Sequence, residues 1–135
     1  MQNTTSAPKV WLDMDQAALD AAYDQSVYAP NQNAVHDRRK MMSALALERL
    51  GAPDIIPYGS GANHTFDLYR TKGKNRPLAI YVHGGAWKNG RARDFAVLAE
   101  VFINAGAHCA ILDFDLVQEC NGDLRPMIEQ VRRAT

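Results

Sequence analysis

The residues best equipped for chemistry lie in one short stretch, His83-Gly84-Gly85-Ala86-Trp87, at the end of the apolar run Leu78-Ala-Ile-Tyr-Val82. The run follows Pro77 and is short enough for one buried strand. Two adjacent glycines at a strand exit are costly as strand residues, because they add chain entropy and pack nothing. They make sense where backbone takes unusual dihedrals, or comes close to another group and points N–H groups at it. Fixed N–H donors aimed at one point are what an oxyanion hole requires, since they receive charge that develops on a substrate oxygen. On this reading Gly84, Gly85 and Ala86 supply the donors, Gly85 and Ala86 foremost. The plainer alternative is a strand that ends in a glycine turn, with His83 and Trp87 packing there.

Other reactive residue types are less persuasive. Ser60 sits in Gly59-Ser60-Gly61, which is not Gly-x-Ser-x-Gly and joins strand to strand. A nucleophile elbow needs a strand–turn–helix setting. His36, His64 and His108 fall in a helix, a strand and a strand start, with no acid–base constellation around them, so each reads as structural. Cys109 and Cys120 lack metal-ligand spacing and read as reduced thiols, Cys109 as a small core residue. No metal and no organic cofactor is implied.

The His-Gly-Gly-Ala-Trp stretch behind its apolar strand resembles the oxyanion strand and loop of the α/β-hydrolase fold. It is most similar to the branch that contains kynurenine formamidase-like (arylformamidase-like) enzymes and hormone-sensitive-lipase-like carboxylesterases. The resemblance runs from about Leu19 to the C-terminus. It implies an α/β fold, a mixed, mostly parallel sheet with flanking helices, of which this chain forms the N-terminal part. It implies hydrolysis of a small ester or amide, arylformamide-like, by acyl transfer through a serine. It also implies that His83 shapes the oxyanion loop and that Trp87 lines the acyl or leaving-group pocket, with wall packing as the alternative for Trp87. The segment Tyr23-Asp24-Gln-Ser-Val-Tyr28-Ala-Pro30 is similar to formamidase-branch segments that approach the active-site mouth. Tyr23, Asp24 and Tyr28 are therefore candidates for substrate contact, the alternative being aromatic anchors for a wrapped segment. Where related enzymes carry a Tyr-Arg-Leu-Ala-Pro-like segment, this chain has Phe114-Asp-Leu-Val-Gln118, a match in shape only.

In that family the nucleophilic serine, the acid and the catalytic histidine follow the last helix read here, and no position in these 135 residues matches their motifs. In the family's sheet order, the strand at Leu78–Val82 lies between the strand at Cys109–Phe114 and the nucleophile strand. Without the latter it becomes an open edge, a template for association. The expectation is a chain catalytic only with a second polypeptide that carries the C-terminal half, by processing of a nicked hydrolase or by separate encoding. A higher homo-oligomer is compatible with this. The alternatives are a truncated product and a non-catalytic subunit with a scaffolding role.

The elements that must position the loop follow from periodicity. Residues 1–10 read as an arm. A helix starts at Asp13, which caps it with Gln16 three residues on, and Leu12, Ala18, Leu19, Ala22 and Tyr23 share a face. A loop at Tyr23–Asn31 leads to a second helix over Gln32–Leu50, with Val35, Met42, Ala46 and Leu50 on one side and Gly51 and Pro53 ending it. The His36–Lys40 cluster is a solvated face. Strands at 54–58 and 64–70 flank a turn at Gly59–Asn63, and Phe66 and Leu68 alternate with Thr65, Asp67 and Tyr69. Beyond the oxyanion loop comes a helix with the stripe Phe95, Leu98, Phe102 and Ala105, closed by Gly106. A strand at His108–Phe114 completes a right-handed βαβ unit. The last helix starts near Asp123, with Pro126 in its first turn and Ile128, Val131 and Ala134 as its stripe. The division expected is a helical segment at 1–53 and the first hydrolase elements at 54–135.

Charge adds limits. Fifteen Lys and Arg balance fifteen Asp and Glu, so no strong field favours nucleic acid or an anionic membrane. No run approaches the roughly 20 apolar residues of a membrane helix. The first residues lack the apolar core of a signal peptide, and the expected compartment is the cytoplasm.

Overall fold

The computed structural model describes residues 7–135, so the first six positions of the expected arm lie outside the described residues. Two compact units divide at His36 and Asp37. The division falls inside a helix, Gln32–Leu50.

In the first unit, β1 (Lys9–Trp11) pairs antiparallel with β2 (Met14–Asp15). The chain end of the expected arm is therefore a small hairpin. Helix α1 (Gln16–Tyr23) is capped by Asp15, whose extended backbone lets its carboxylate accept the Ala18 N–H at 2.9 Å. Asp13 cannot serve, because it lies in the hairpin turn and the next two residues are committed to β2. No residue of α1 is buried; on its expected apolar face Leu19 is half-buried, and Ala18, Ala22 and Tyr23 are exposed. Asp24 then caps a 3₁₀ turn, Gln25–Val27, through the Ser26 N–H.

Helix α2 (Gln32–Leu50) crosses the boundary, and its C-terminal part belongs to the second unit. There Ser43 and Ala46 are buried and Met42, Leu47 and Leu50 are half-buried, whereas Val35 is exposed. Gly51, at φ +82°, donates to the Leu47 carbonyl and ends the helix.

The sheet has the order β3 (Asp54–Pro57), β4 (Thr65–Tyr69), β6 (His108–Leu112), β5 (Leu78–Val82). It is mixed: β3–β4 and β4–β6 are antiparallel, and β5–β6 is parallel. Helix α3 (Ala96–Asn104), entered through a 3₁₀ turn at Ala92–Phe95, connects the parallel pair. Register places Asp67 opposite Ile111 and Tyr69 opposite Cys109. Tyr69, Cys109 and Ile111 pack with Ala92, Phe95, Ala96 and Ala99 in one core cluster, and Asp67 lies on the same face of β4 as Tyr69. The covered face of β4 is therefore that of Asp67 and Tyr69, while Phe66 and Leu68 stay half-buried on the other side. The crossover helix decides this, because it packs on the face of Cys109 and Ile111. Ala105, expected in the α3 stripe, is exposed at the helix C-cap.

Helix α4 (Arg125–Ala134) buries Met127 and Gln130 and leaves Ile128 exposed. Its rotation follows from Gln130, which accepts the Asp115 N–H at 2.9 Å and donates to the Asp115 carboxylate at 3.0 Å. Strand β5 ends the described sheet, and its Leu78, Ile80 and Val82 are 51%, 45% and 38% exposed. Among the described residues no helix is long and apolar enough to cross a membrane.

Candidate functional site

The loop after β5 turns sharply. Gly85, Ala86 and Trp87 have φ of +142°, +52° and +61°. The Gly85 carbonyl accepts two N–H groups, from Lys88 and Asn89, both at 3.0 Å. This closes the turn so tightly that a Cβ at Gly85 would lie 1.9 Å from the Asn89 carbonyl oxygen. Only glycine fits. Ala86 and Trp87 hold left-handed backbone that side chains disfavour, a strain kept by the surrounding contacts. Among the described residues the N–H groups of Gly85, Ala86 and Trp87 have no hydrogen-bond acceptor. A turn with successive free amides is a concavity suited to negative charge.

His83 lies beneath this loop, 4% exposed. Its ring is stacked between Phe95 and Phe114, with centroids 5.1 and 4.5 Å away. Nδ1 lies 3.0 Å from the Gly84 carbonyl oxygen. A carbonyl only accepts, so Nδ1 carries the proton. The other nitrogen, Nε2, faces Asp113 Oδ1 at 3.7 Å, and both atoms are buried without a hydrogen-bond partner.

The chain after β6 clasps the loop. Val117 N–H donates to the Trp87 carbonyl at 2.8 Å, and Gln118 donates to the Lys88 carbonyl at 2.9 Å. Arg91 reaches across to the Phe114 carbonyl at 2.9 Å and to Glu119 at 2.8 Å. Glu119 in turn accepts the Leu116 N–H at 2.6 Å. Trp87 is half exposed, tilted beside Phe114.

The structure thus gathers His83, Gly84, Gly85, Ala86 and Trp87 at one place. Tyr23, Asp24 and Tyr28 lie in the N-terminal unit. Both tyrosines are exposed, and the Asp24 carboxylate is engaged with the Ser26 backbone.

Asp113, Arg91 and Glu119 escaped the sequence reading. Asp113 had a signal: it continues the alternation of Cys109 and Ile111, the covered face of β6. His64 requires a correction, because it does face an acid. Its Nδ1 accepts the Gly61 N–H at 3.1 Å, so the proton is on Nε2, which meets Asp115 Oδ2 at 3.1 Å. Asn63 and Gln130 also donate to that carboxylate. Burial raises the Asp115 pKa, but the bonds from Asn63, His64 and Gln130 outweigh it and hold the group below the usual carboxylate range. Both ring nitrogens of His64 are committed, so the cluster is a latch that ties the β3–β4 turn to the segment before α4. Tyr58 stacks on His64 and donates to the Asp113 carbonyl at 2.6 Å. Burial pushes its hydroxyl up to about 12. His108 accepts the Thr71 N–H, a structural role. Cys109 is a buried free thiol, which burial pushes up to about 11. Among the described residues no three His, Cys, Asp or Glu side chains are grouped to hold a metal ion.

A mixed sheet with a β5–α3–β6 crossover and a glycine turn at the end of β5 defines this chain as the N-terminal portion of an α/β-hydrolase fold. The chain is similar to the kynurenine formamidases of Danio rerio and Salmo salar, 27% and 26% identical over 132 residues. Each match covers 92% of this chain and 44% of the relative, so the chain spans less than half the length of the curated relatives it matches. Among solved structures, it is similar to a proposed thioesterase from a Silicibacter species, with a TM-score of 0.76 and 24% identity over 86% of this chain and 44% of that one. Esterase B from Lactobacillus rhamnosis matches with a TM-score of 0.55 and 20% identity over 90% of this chain and 39% of that one. No family model matches.

Proposed function

We propose that this chain supplies the oxyanion hole of a serine hydrolase that acts on a small ester or amide of arylformamide type. The nucleophile, acid and histidine come from polypeptide outside these 135 residues. The observation that carries the reading is the turn after β5, closed on the Gly85 carbonyl and leaving the N–H groups of Gly85 and Ala86 unpaired. Serine attack on a carbonyl moves an electron pair onto the carbonyl oxygen. Those two N–H groups hydrogen-bond the oxyanion, with another from beside the nucleophile. Collapse expels the amine or alcohol, and water then frees the serine. Each such donor is worth on the order of 3–4 kcal/mol of transition-state stabilisation. His83 acts indirectly: its bond to the Gly84 carbonyl fixes the peptide unit whose N–H belongs to Gly85. Trp87 walls the acyl or leaving-group side. Similarity to kynurenine formamidases supports an amide substrate.

The completing polypeptide extends the sheet from β5. Intact mass spectrometry of the native particle, before and after denaturation and after fluorophosphonate treatment, tests this. The expected result is a labelled serine outside residues 1–135. A folded chain that is alone and unlabelled removes the catalytic reading and leaves a scaffolding role. For the substrate, N-formyl aromatic amines compete against short-chain aryl esters. A preference for esters by orders of magnitude excludes the formamidase reading. Gly85→Ala, whose Cβ collides with the Asn89 carbonyl oxygen, distorts the turn and lowers turnover, whereas Gly84→Ala, whose added methyl meets nothing within 4 Å, keeps it; equal turnover in the two variants shows that the Gly85 N–H is not used.

A further inference from the structure

A cavity of about 580 Å³ lies where the C-terminal end of α2 meets β3, β4 and the end of β6. Leu47, Pro53 and Ile55 give it apolar walls, and its charged lining is Glu48, Asp67, Arg93 and Asp113. Asp67 stands out. The residue is 8% exposed, and its carboxylate, which opens onto the cavity, forms no hydrogen bond and no salt bridge among the described residues. A buried carboxylate without a partner is destabilising, and folded proteins normally supply one. Arg93 lines the same cavity, but it is exposed and forms no ion pair with Asp67. Asp113 has Arg91 Nη1 at 3.6 Å from its Oδ1, so Glu48 and Asp67 are left to face the one guanidinium of Arg93.

The volume falls within the roughly 300–1,000 Å³ of small-molecule pockets. A bare divalent cation does not suit the site. Hard cations want six or more oxygen ligands, and half of this lining is hydrocarbon. A single ammonium group on an apolar body satisfies both halves at once. We propose that this cavity binds an organic monocation, a primary ammonium on a compact apolar body, whose ammonium is the hydrogen-bonding partner that Asp67 lacks. The site is separate from the oxyanion loop. Asp113 lies between them, with His83 Nε2 at 3.7 Å from its Oδ1. Ligand binding here does not depend on the proposed hydrolysis.

Calorimetric titration of the native particle tests the proposal with 2-phenylethylammonium as probe and 3-phenylpropionate as its charge-reversed counterpart. The ammonium saturates the site in the millimolar range or tighter, and the carboxylate does not bind. Asp67→Asn keeps the side-chain shape, removes the charge, and weakens ammonium binding at least tenfold while circular dichroism is unchanged. Arg93→Gln removes the competing cation and tightens binding. Equal binding of the two probes, or none, overturns the proposal, as does full affinity in Asp67→Asn. Arg93→Gln that loses stability and gains no ammonium affinity also overturns it, because the guanidinium is then the partner of Asp67.

Discussion

A methyl group added at Gly84 meets nothing within 4 Å, whereas one added at Gly85 collides with the Asn89 carbonyl oxygen. Gly84→Ala should therefore leave stability within about 0.5 kcal/mol, while Gly85→Ala, at φ +142°, should cost about 2 kcal/mol or more. Denaturant unfolding of both variants checks this; equal costs would mean that the turn relaxes. The glycine pair is visible in the sequence, but which glycine is indispensable is not, because the conflict arises only when the turn folds back on Asn89. Asp67 makes a second case. Burial, with added repulsion from Asp113 and partial relief from Arg93, pushes its carboxyl from 3.8 up to about 6. Since the folded value is the higher one, the folded state holds the proton more tightly between those values. The full stability is present below about pH 4, is lost as pH rises through about 6, and stays level above. Asp67→Asn should then stabilise the fold at neutral pH by on the order of 2–3 kcal/mol and leave it unchanged near pH 3.5. Urea unfolding at the two pH values reads this, and an equal effect at both would refute it. In the sequence Asp67 looked like the solvent side of an alternating strand. Only α3 packing on the face of Cys109 and Ile111 turns that side inward.

Ser43 joins two helices. Its hydroxyl donates to the Asp94 carbonyl at 2.9 Å and accepts the Val97 N–H at 3.3 Å, at the entrance to α3. Ser43→Ala should cost about 1–3 kcal/mol, because it leaves a carbonyl and an amide near the core unsatisfied. Thermal unfolding measures it, and a change under 0.5 kcal/mol would mean that water replaces the hydroxyl. The bounds of α2 were legible from its flanking glycine and proline, and those of β5 from its apolar run. The rotation of α2 and α4 was not. Ser43 and Gln130 are polar residues buried by partners from distant parts of the chain, and a pattern of apolar positions passes over them. The cap of α1 was misplaced by two residues because the hairpin before it, held by pairing alone, has no strong periodic signal.

At the scale of the molecule, the strand that carries the candidate loop ends the described sheet. Its outer hydrogen-bonding edge and the side chains of Leu78, Ile80 and Val82 lack covering. Isolated 135-residue chain should self-associate and bind a hydrophobic dye, and Ile80→Lys should reduce both. Sedimentation velocity decides; a monomer that ignores the dye would show that the edge is blunted in solution. The α/β arrangement and the parallel pairing of β5 with β6 could be read from the resemblance, because the crossover and the glycine turn are local in sequence. The clasp on the loop could not, since its halves are far apart: Arg91 and Glu119 are separated by 28 positions. That separation has a temporal meaning. The turn at residues 85–87 leaves the ribosome before the segment that restrains it, and its left-handed residues have no reason to persist until β6 has paired and Leu116 to Glu119 have arrived. The loop is therefore among the later parts of the unit to acquire its shape, and a slow step in placing residues 113–119 would delay it even after the sheet has formed.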